Sequence, residues 1–420
     1  MRTRILSILL VGLAVRLLLA PVTGHPYDMA LWTYSTRLYF QTGQVDPFYP
    51  TLPLLYYIQL ASSSVYNALI VSGLNDPTFL YHTSGMVEGV FLKLPMILAD
   101  VGVFLVILRF TGKISYATLY YLNPLTIYLS SAWGTYDSIM LLPLVSGFLL
   151  LSRNRRYLAG VTFVASGLIK LFGFVPLVLL MIDGLAHRRY KEVIVHLTTG
   201  VSLTTLVFIP YLQTGLENFY TGFVLRFLGL GGGQTRNYNI LAVFSGARFG
   251  GASPYVWLAV GSVVVLFLYQ RRRGTPILQS TLLCAILAAV ALDIFSQSEP
   301  QWLSWLIPTS LLYSSITQRQ ALAHYSYFFG VASTFLAITL TQGWAYILLG
   351  LPFQISIQGL EGYYDALAVY TATVFFLLML FIGYVLQRPV RFRSEIIAAT
   401  VLVYVQAYFL FTVLRIVNVA

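Results

Sequence analysis

Charge is in short supply in this chain. Charged residues make up 9% of 420, and acidic ones are the rarest, with 14 Asp and Glu against 25 Lys and Arg. A soluble domain needs a charged surface, and no single core could bury a chain that is 58% hydrophobic with a mean hydropathy of +0.78. A soluble fold is therefore excluded, and an all-α polytopic membrane protein is expected. The formal charge of +11 does not point to nucleic acid, because Lys and Arg fall in short clusters between apolar runs, the pattern that orients a protein in a membrane. Cysteine is almost absent: Cys284 stands alone in an apolar run, which rules out an intramolecular disulfide and marks a small buried hydrophobe. The five histidines, His25, His82, His187, His196 and His324, form no helical pair, and no Asp-x-Asp occurs. No metal site or required cofactor is therefore expected, a divalent ion being the less favoured option. No Ser/His/Asp arrangement, internal repeat, low-complexity tract or separate soluble domain is legible, so residues 1–420 read as one membrane-embedded domain.

Long apolar runs are what the chain has in quantity. A span needs about 20 apolar residues at 1.5 Å per residue. Windows near 5–22, 88–110, 115–132, 137–152, 157–170, 172–186, 192–211, 254–270, 276–295, 301–316, 323–342, 365–386 and 395–417 meet that test, about 13 transmembrane helices in all. The first run, Ile5 to Ala20, follows Arg2 and Arg4 and contains Arg16, so a retained anchor is expected in place of a cleaved signal. With the amino terminus inside, most of the 25 basic residues fall in inner loops around Arg109, Arg155, Arg189, Arg272 and Arg391. The run Thr51 to Gly73 is apolar enough to cross, but its crossing would turn every later basic loop outward. Two helices, Asp28 to Gly43 and Pro53 to Ser72, are therefore expected to lie at the outer interface within a first outer loop, 23–87, anchored by Trp32, Tyr39 and Phe40. A second long outer loop covers 213–253.

Ionisable residues within or beside spans cost about 2.5–3.5 kcal/mol each on insertion scales, which makes them functional candidates. Asp28 lies at the mouth of the first span in a Gly-His-Pro-Tyr-Asp run, and Arg16, one turn from the outer end of that span, is expected to snorkel towards it or towards a lipid phosphate. Lys93 and Asp100 are seven apart on one helix face, too far for a direct bond but able to share a polar seam. Gly134 breaks the chain at the outer surface, and Asp137 then falls in the first turn of the next span, where a carboxylate complements the helix dipole. Trp133 beside it supplies the aromatic face on which a sugar ring stacks while a carboxylate holds its hydroxyls. Lys170 follows the span before it on the same outer side, where a point cation suits a lipid phosphate. Arg226, Arg236 and Asn239 occupy the long outer loop, and Glu299, before Pro300, opens a later span. Structural alternatives stay open: capping for Asp28, Asp137 and Glu299, snorkelling for Lys170, and a flexible loop for the glycine-rich run Gly229 to Gly233. The functional signal is convergence, since residues from distant segments fall on one side of the membrane.

Taken in order, these residues resemble the GT-C superfamily of polyprenyl-phosphate-sugar-dependent glycosyltransferases, in particular its mannosyltransferase and glucosyltransferase branches. The resemblance rests on Arg16, the Pro-Tyr-Asp run ending at Asp28, the Lys-Leu-Pro-x-Ile-Leu-Ala-Asp run from Lys93 to Asp100, Asn123-Pro124 followed by Trp133 to Asp137, Lys170 to Pro176, and Asn237-Tyr238-Asn239. It implies a GT-C fold with two interfacial helices in the first outer loop. The implied reaction is transfer of one hexose, with inversion, from a polyprenyl or dolichyl phosphate to a hydroxyl of a glycan, lipid or protein acceptor at the extracytoplasmic face, in a multi-pass protein of the plasma membrane. Asp28 would be the general base, Lys170 with Arg226 or Arg236 would hold the departing phosphate, and Asp137 and Trp133 would hold the sugar. A lone Asp28 where relatives carry Asp-x-Asp points to a metal-free reaction. The rival class is a transporter or flippase of lipid-linked sugars, for which buried charges are also expected.

Overall fold

The computed structural model of the chain describes residues 2–46, 52–212, 254–295, 300–337, 377–378 and 381–383, and among the described residues there is no strand. Arg226, Arg236, Asn239, Glu299, the long loop 213–253, the expected span 395–417 and nearly all of 365–386 lie outside the described residues. The helices, in chain order, are α1 (Arg2–Leu19), α2 (Pro26–Thr42), α3 (Pro53–Val71), α4 (Met86–Thr111), α5 (Ile114–Tyr121), α6 (Pro124–Ile127), α7 (Asp137–Ser152), α8 (Arg156–Gly167), α9 (Phe174–Ala186), α10 (Tyr190–Leu212), α11 (Pro254–Arg272), α12 (Ile277–Phe295), α13 (Pro300–Leu303), α14 (Leu306–Thr317) and α15 (Gln320–Leu336). By length and composition, α3, α4 and most of α10 are able to cross a bilayer.

The two helices of the first loop form close to where they are expected. Pro26 opens α2 at a position where its missing N–H costs nothing, and Gly43, with φ +72°, closes it. Pro53 opens α3 in the same way. The anchors of α3 all lie near one end of its neighbours. Tyr57 donates to the Val207 carbonyl late in α10, Ser62 to the Phe91 carbonyl early in α4, and the chain just beyond α3 places Asp76 on the Val87 and Glu88 amides at the start of α4. These bonds tie α3 to the beginning of α4 and to the later part of α10.

Three expected spans take another form. The window 115–132 is broken: α5 ends, Asn123 accepts from the Leu125 amide to cap α6, and Tyr128–Trp133 winds as a π-helical turn. Pro124 is the cause, since it disfavours helical backbone at the residue before it and has no N–H to continue the ladder. The windows 157–170 and 172–186 become α8 and α9, of 12 and 13 residues. At 1.5 Å per residue these are about 18–20 Å long, short of the roughly 30 Å hydrocarbon layer.

An ion-pair network fixes one end of this arrangement. Asp183, buried near the end of α9, accepts from Arg271 at the end of α11 at 2.7 Å, from Arg156 at the start of α8 at 3.3 Å, and from Arg189 before α10. Loops expected on the inner side are thus tied together at one end of α8 and α9. The turn that joins these two helices, with Lys170, lies at their other end.

Candidate active site

Asp28 sits in the first turn of α2, but it does not cap that helix. The cap is His25, whose Nδ1 accepts from the Asp28 backbone amide at 3.3 Å. The Asp28 side chain is 28% exposed, and its Oδ2 accepts a 2.6 Å hydrogen bond from Trp133 Nε1. Among the described residues, its Oδ1 has no hydrogen-bond partner.

Trp133 is held from three sides. It is buried, its ring stacks on His25 at 4.7 Å between centroids, and its carbonyl accepts from the His25 amide at 3.0 Å. His25 lies over one face of the ring expected to stack a sugar, and the indole N–H is aimed at Asp28. The π-turn that carries Trp133 rests on buried polar groups. Lys93, fully buried, donates to the carbonyls of Ala20, Thr23 and Ser131 at 2.9, 2.5 and 2.9 Å. Gly134 follows with φ +89°, and a Cβ there would come within 3.0 Å of the Lys93 side chain, so both backbone and space demand glycine.

Arg16 also departs from expectation. It is fully buried and does not reach Asp28: Nε pairs with Asp100 Oδ2 at 2.9 Å, and Nη1 and Nη2 donate to the carbonyls of Gly12 and Tyr121. Asp100 accepts a further 2.7 Å bond from Tyr120. All three guanidinium nitrogens of Arg16 have partners inside the protein, and its side chain is fully buried. Lys93 and Asp100 do share one helix face, as their spacing requires, but each has its own partners and they form no pair.

Asp137 and Lys170, 33 residues apart, do come together. Lys170 Nζ lies 2.8 Å from Asp137 Oδ1, 5.1 Å from the centre of the Tyr136 ring and 4.9 Å from that of Trp305. Trp305 Nε1 donates to the same Oδ1 at 2.5 Å, and Thr135 donates to Oδ2. Asp137 therefore orients Lys170 and Trp305 and caps nothing, and the cation sits in an aromatic box with 14% of its side chain exposed. Phe172 and Trp302 stack on Trp305 at 4.5 and 5.6 Å. Tyr136 also meets Trp32 of α2 edge-on at 6.4 Å, which joins the Lys170 box to the helix bearing Asp28.

One five-residue segment, Trp133 to Asp137, thus holds a half-open carboxylate at one end and a caged cation at the other. Thr135 and Trp305 belong to this centre and are missed by sequence reasoning that weighs charge, and His25, weighed there only as a metal ligand, belongs to it too. The signal available for Trp305 was the cluster Trp302–Trp305 just after Glu299 at a span entrance. Among the described residues, no three His, Cys, Asp or Glu side chains gather as metal ligands.

No protein-family model matches the chain, and neither does any curated protein sequence. Solved structures do match. ArnT from Cupriavidus metallidurans, in its crystal structure bound to undecaprenyl phosphate, superposes with a TM-score of 0.51 at 14% identity, over 99% of this chain and 77% of ArnT. The apo crystal structure of the same protein gives 0.51 at 15% identity, over 99% and 76%. At such low identity the likeness concerns architecture alone: the chain shares its fold with ArnT.

Proposed function

We propose that the chain is a glycosyltransferase that moves a hexose, mannose in the first instance, from a polyprenyl or dolichyl phosphate to an acceptor hydroxyl at the extracytoplasmic face of the membrane, with inversion. Asp28 is the general base. Its Oδ1 takes the acceptor proton as the acceptor oxygen bonds to the anomeric carbon, while the bond from that carbon to the phosphate oxygen breaks. Trp133 positions Asp28 by holding Oδ2. Lys170 steadies the departing lipid phosphate, joined by Arg226 or Arg236, while Asn239 and Glu299 complete the sugar and acceptor contacts. With cations taking the phosphate charge, the reaction needs no divalent metal.

The observation that carries this reading is the pairing of Asp28 and Lys170 to the two ends of one segment, Trp133 to Asp137. A base and a phosphate-compatible cation held by the same backbone are what an attack on a lipid-phosphate sugar requires. The fold supports it further, since ArnT shares that fold and its structure was obtained with undecaprenyl phosphate.

The test is to incubate purified protein with radiolabelled polyprenyl-phosphate hexoses and a panel of hydroxyl acceptors, and to follow label leaving the lipid. Label should pass to an acceptor with mannose-linked donor preferred, and EDTA should leave the rate unchanged. Label that stays on the lipid but crosses the bilayer of proteoliposomes would make the chain a flippase.

A further inference from the structure

Away from the Asp28 centre, a cleft of about 80 Å³ opens between α2, α3 and the first turn of α4. At roughly 10–15 Å³ for each water-sized group, it admits about six such groups. Its lining is polar but balanced in charge. Arg37 and Glu88 form a two-point pair, Nε to Oε1 at 3.1 Å and Nη2 to Oε2 at 2.5 Å, with half of the Arg37 side chain exposed at the mouth. At the bottom, Ser63 Oγ is buried and has no hydrogen-bond partner. The amides of Gln41 and Asn67 line the walls. Phe40 and Tyr66 add ring surface.

We propose that this cleft holds one edge of a neutral carbohydrate ring, two adjacent hydroxyls of the non-reacting part of the acceptor. A buried hydroxyl left unpaired disfavours the empty site, and a ligand hydroxyl reaching Ser63 would relieve it. Side-chain amides and a neutralised guanidinium offer paired donors and acceptors, which suit adjacent sugar hydroxyls, and the rings suit the apolar face of a pyranose. A phosphate is disfavoured because Glu88 already answers the charge of Arg37. The pocket residues of α2 begin eight positions beyond Asp28, about 12 Å along the helix axis, and point to a different side of it. The acceptor is therefore at least an oligosaccharide or a glycolipid with more than one ring, not a single sugar.

This assignment rests on the glycosyltransferase reading for the word acceptor, but binding is measured without turnover. Saturation-transfer NMR on the full chain in nanodiscs, with methyl hexopyranosides and the matching disaccharides as probes, should show ring protons in contact for at least one probe. Ser63→Ala and Asn67→Ala should each weaken its affinity at least fivefold. Inositol phosphate and glycerol phosphate serve as the anionic arm. Binding confined to them, no saturable glycoside signal, or a signal indifferent to both pocket variants would each overturn the proposal. Bound glycoside in a chain without transfer activity would instead overturn the proposed function and leave the subsite standing.

Discussion

Replacing Trp133 by Phe removes one N–H and keeps an aromatic ring on His25. The bond lost is a 2.6 Å donation to a carboxylate. Hydrogen bonds to charged groups contribute about 1.5–3 kcal/mol, and each 1.36 kcal/mol of barrier is tenfold in rate, so the ceiling is a loss of about 10- to 100-fold in kcat. The lower end applies, because Asp28 is 28% exposed and water can partly replace the indole. We expect kcat to fall about tenfold with the KM for the polyprenyl donor unchanged, since the bond orients the base and touches no donor group. The smaller ring also leaves a gap in a buried position, so melting temperature should fall modestly. Steady-state kinetics with saturating acceptor, alongside thermal unfolding in the same detergent, separates the two effects. A rate within twofold of the unaltered enzyme would refute the positioning role of Trp133, and so would a fall in kcat fully explained by the unfolded fraction.

Other outcomes follow from the same geometry. Lys170→Met should raise the donor KM and lower kcat together, as expected when a phosphate contact present in substrate and leaving group is lost; unchanged donor kinetics with a lower melting temperature would leave Lys170 only the task of holding Asp137. Asp100→Leu strands the fully buried Arg16 and should cost about 3–5 kcal/mol, and adding Arg16→Met should recover part of that loss; a double variant less stable than the single one would contradict the pairing. In a Cys284→Ala background, a cysteine at Thr78 should react with an impermeant maleimide added outside sealed cells, while cysteines at Arg155 and Arg272 should be protected. Protection at Thr78 would mean that α3 crosses the membrane.

What the sequence makes legible is whatever depends on local order. The ends of α1, α4 and α7 follow from apolar runs, and the pair α2 and α3 follows from two prolines, a glycine and the distribution of basic loops. Asp28, Asp137 and Lys170 stand out because charge is scarce. What escapes is contact between segments. Arg16 lies 84 residues from Asp100, and Trp305 lies 168 from Asp137, and no periodicity in one chain reports such pairs. Trp133 looks like a sugar platform in sequence because its neighbours are polar, and that His25 lies over one face of its ring is a contact no local pattern reports. The broken stretch Ile114–Trp133 has the composition of a span, and only Asn123-Pro124 hints at its interruption.

The central claim is that Asp28 accepts the proton of the attacking hydroxyl. A positioned general base contributes about 10²- to 10⁴-fold, and Asp28→Asn removes that capacity while keeping shape and a partner for Trp133. Turnover of Asp28→Asn, measured with donor affinity and melting temperature on the same preparation, is therefore the most direct measurement. The account predicts kcat down by at least about 100-fold with donor binding and melting near normal. A variant that turns over normally and melts lower would contradict it.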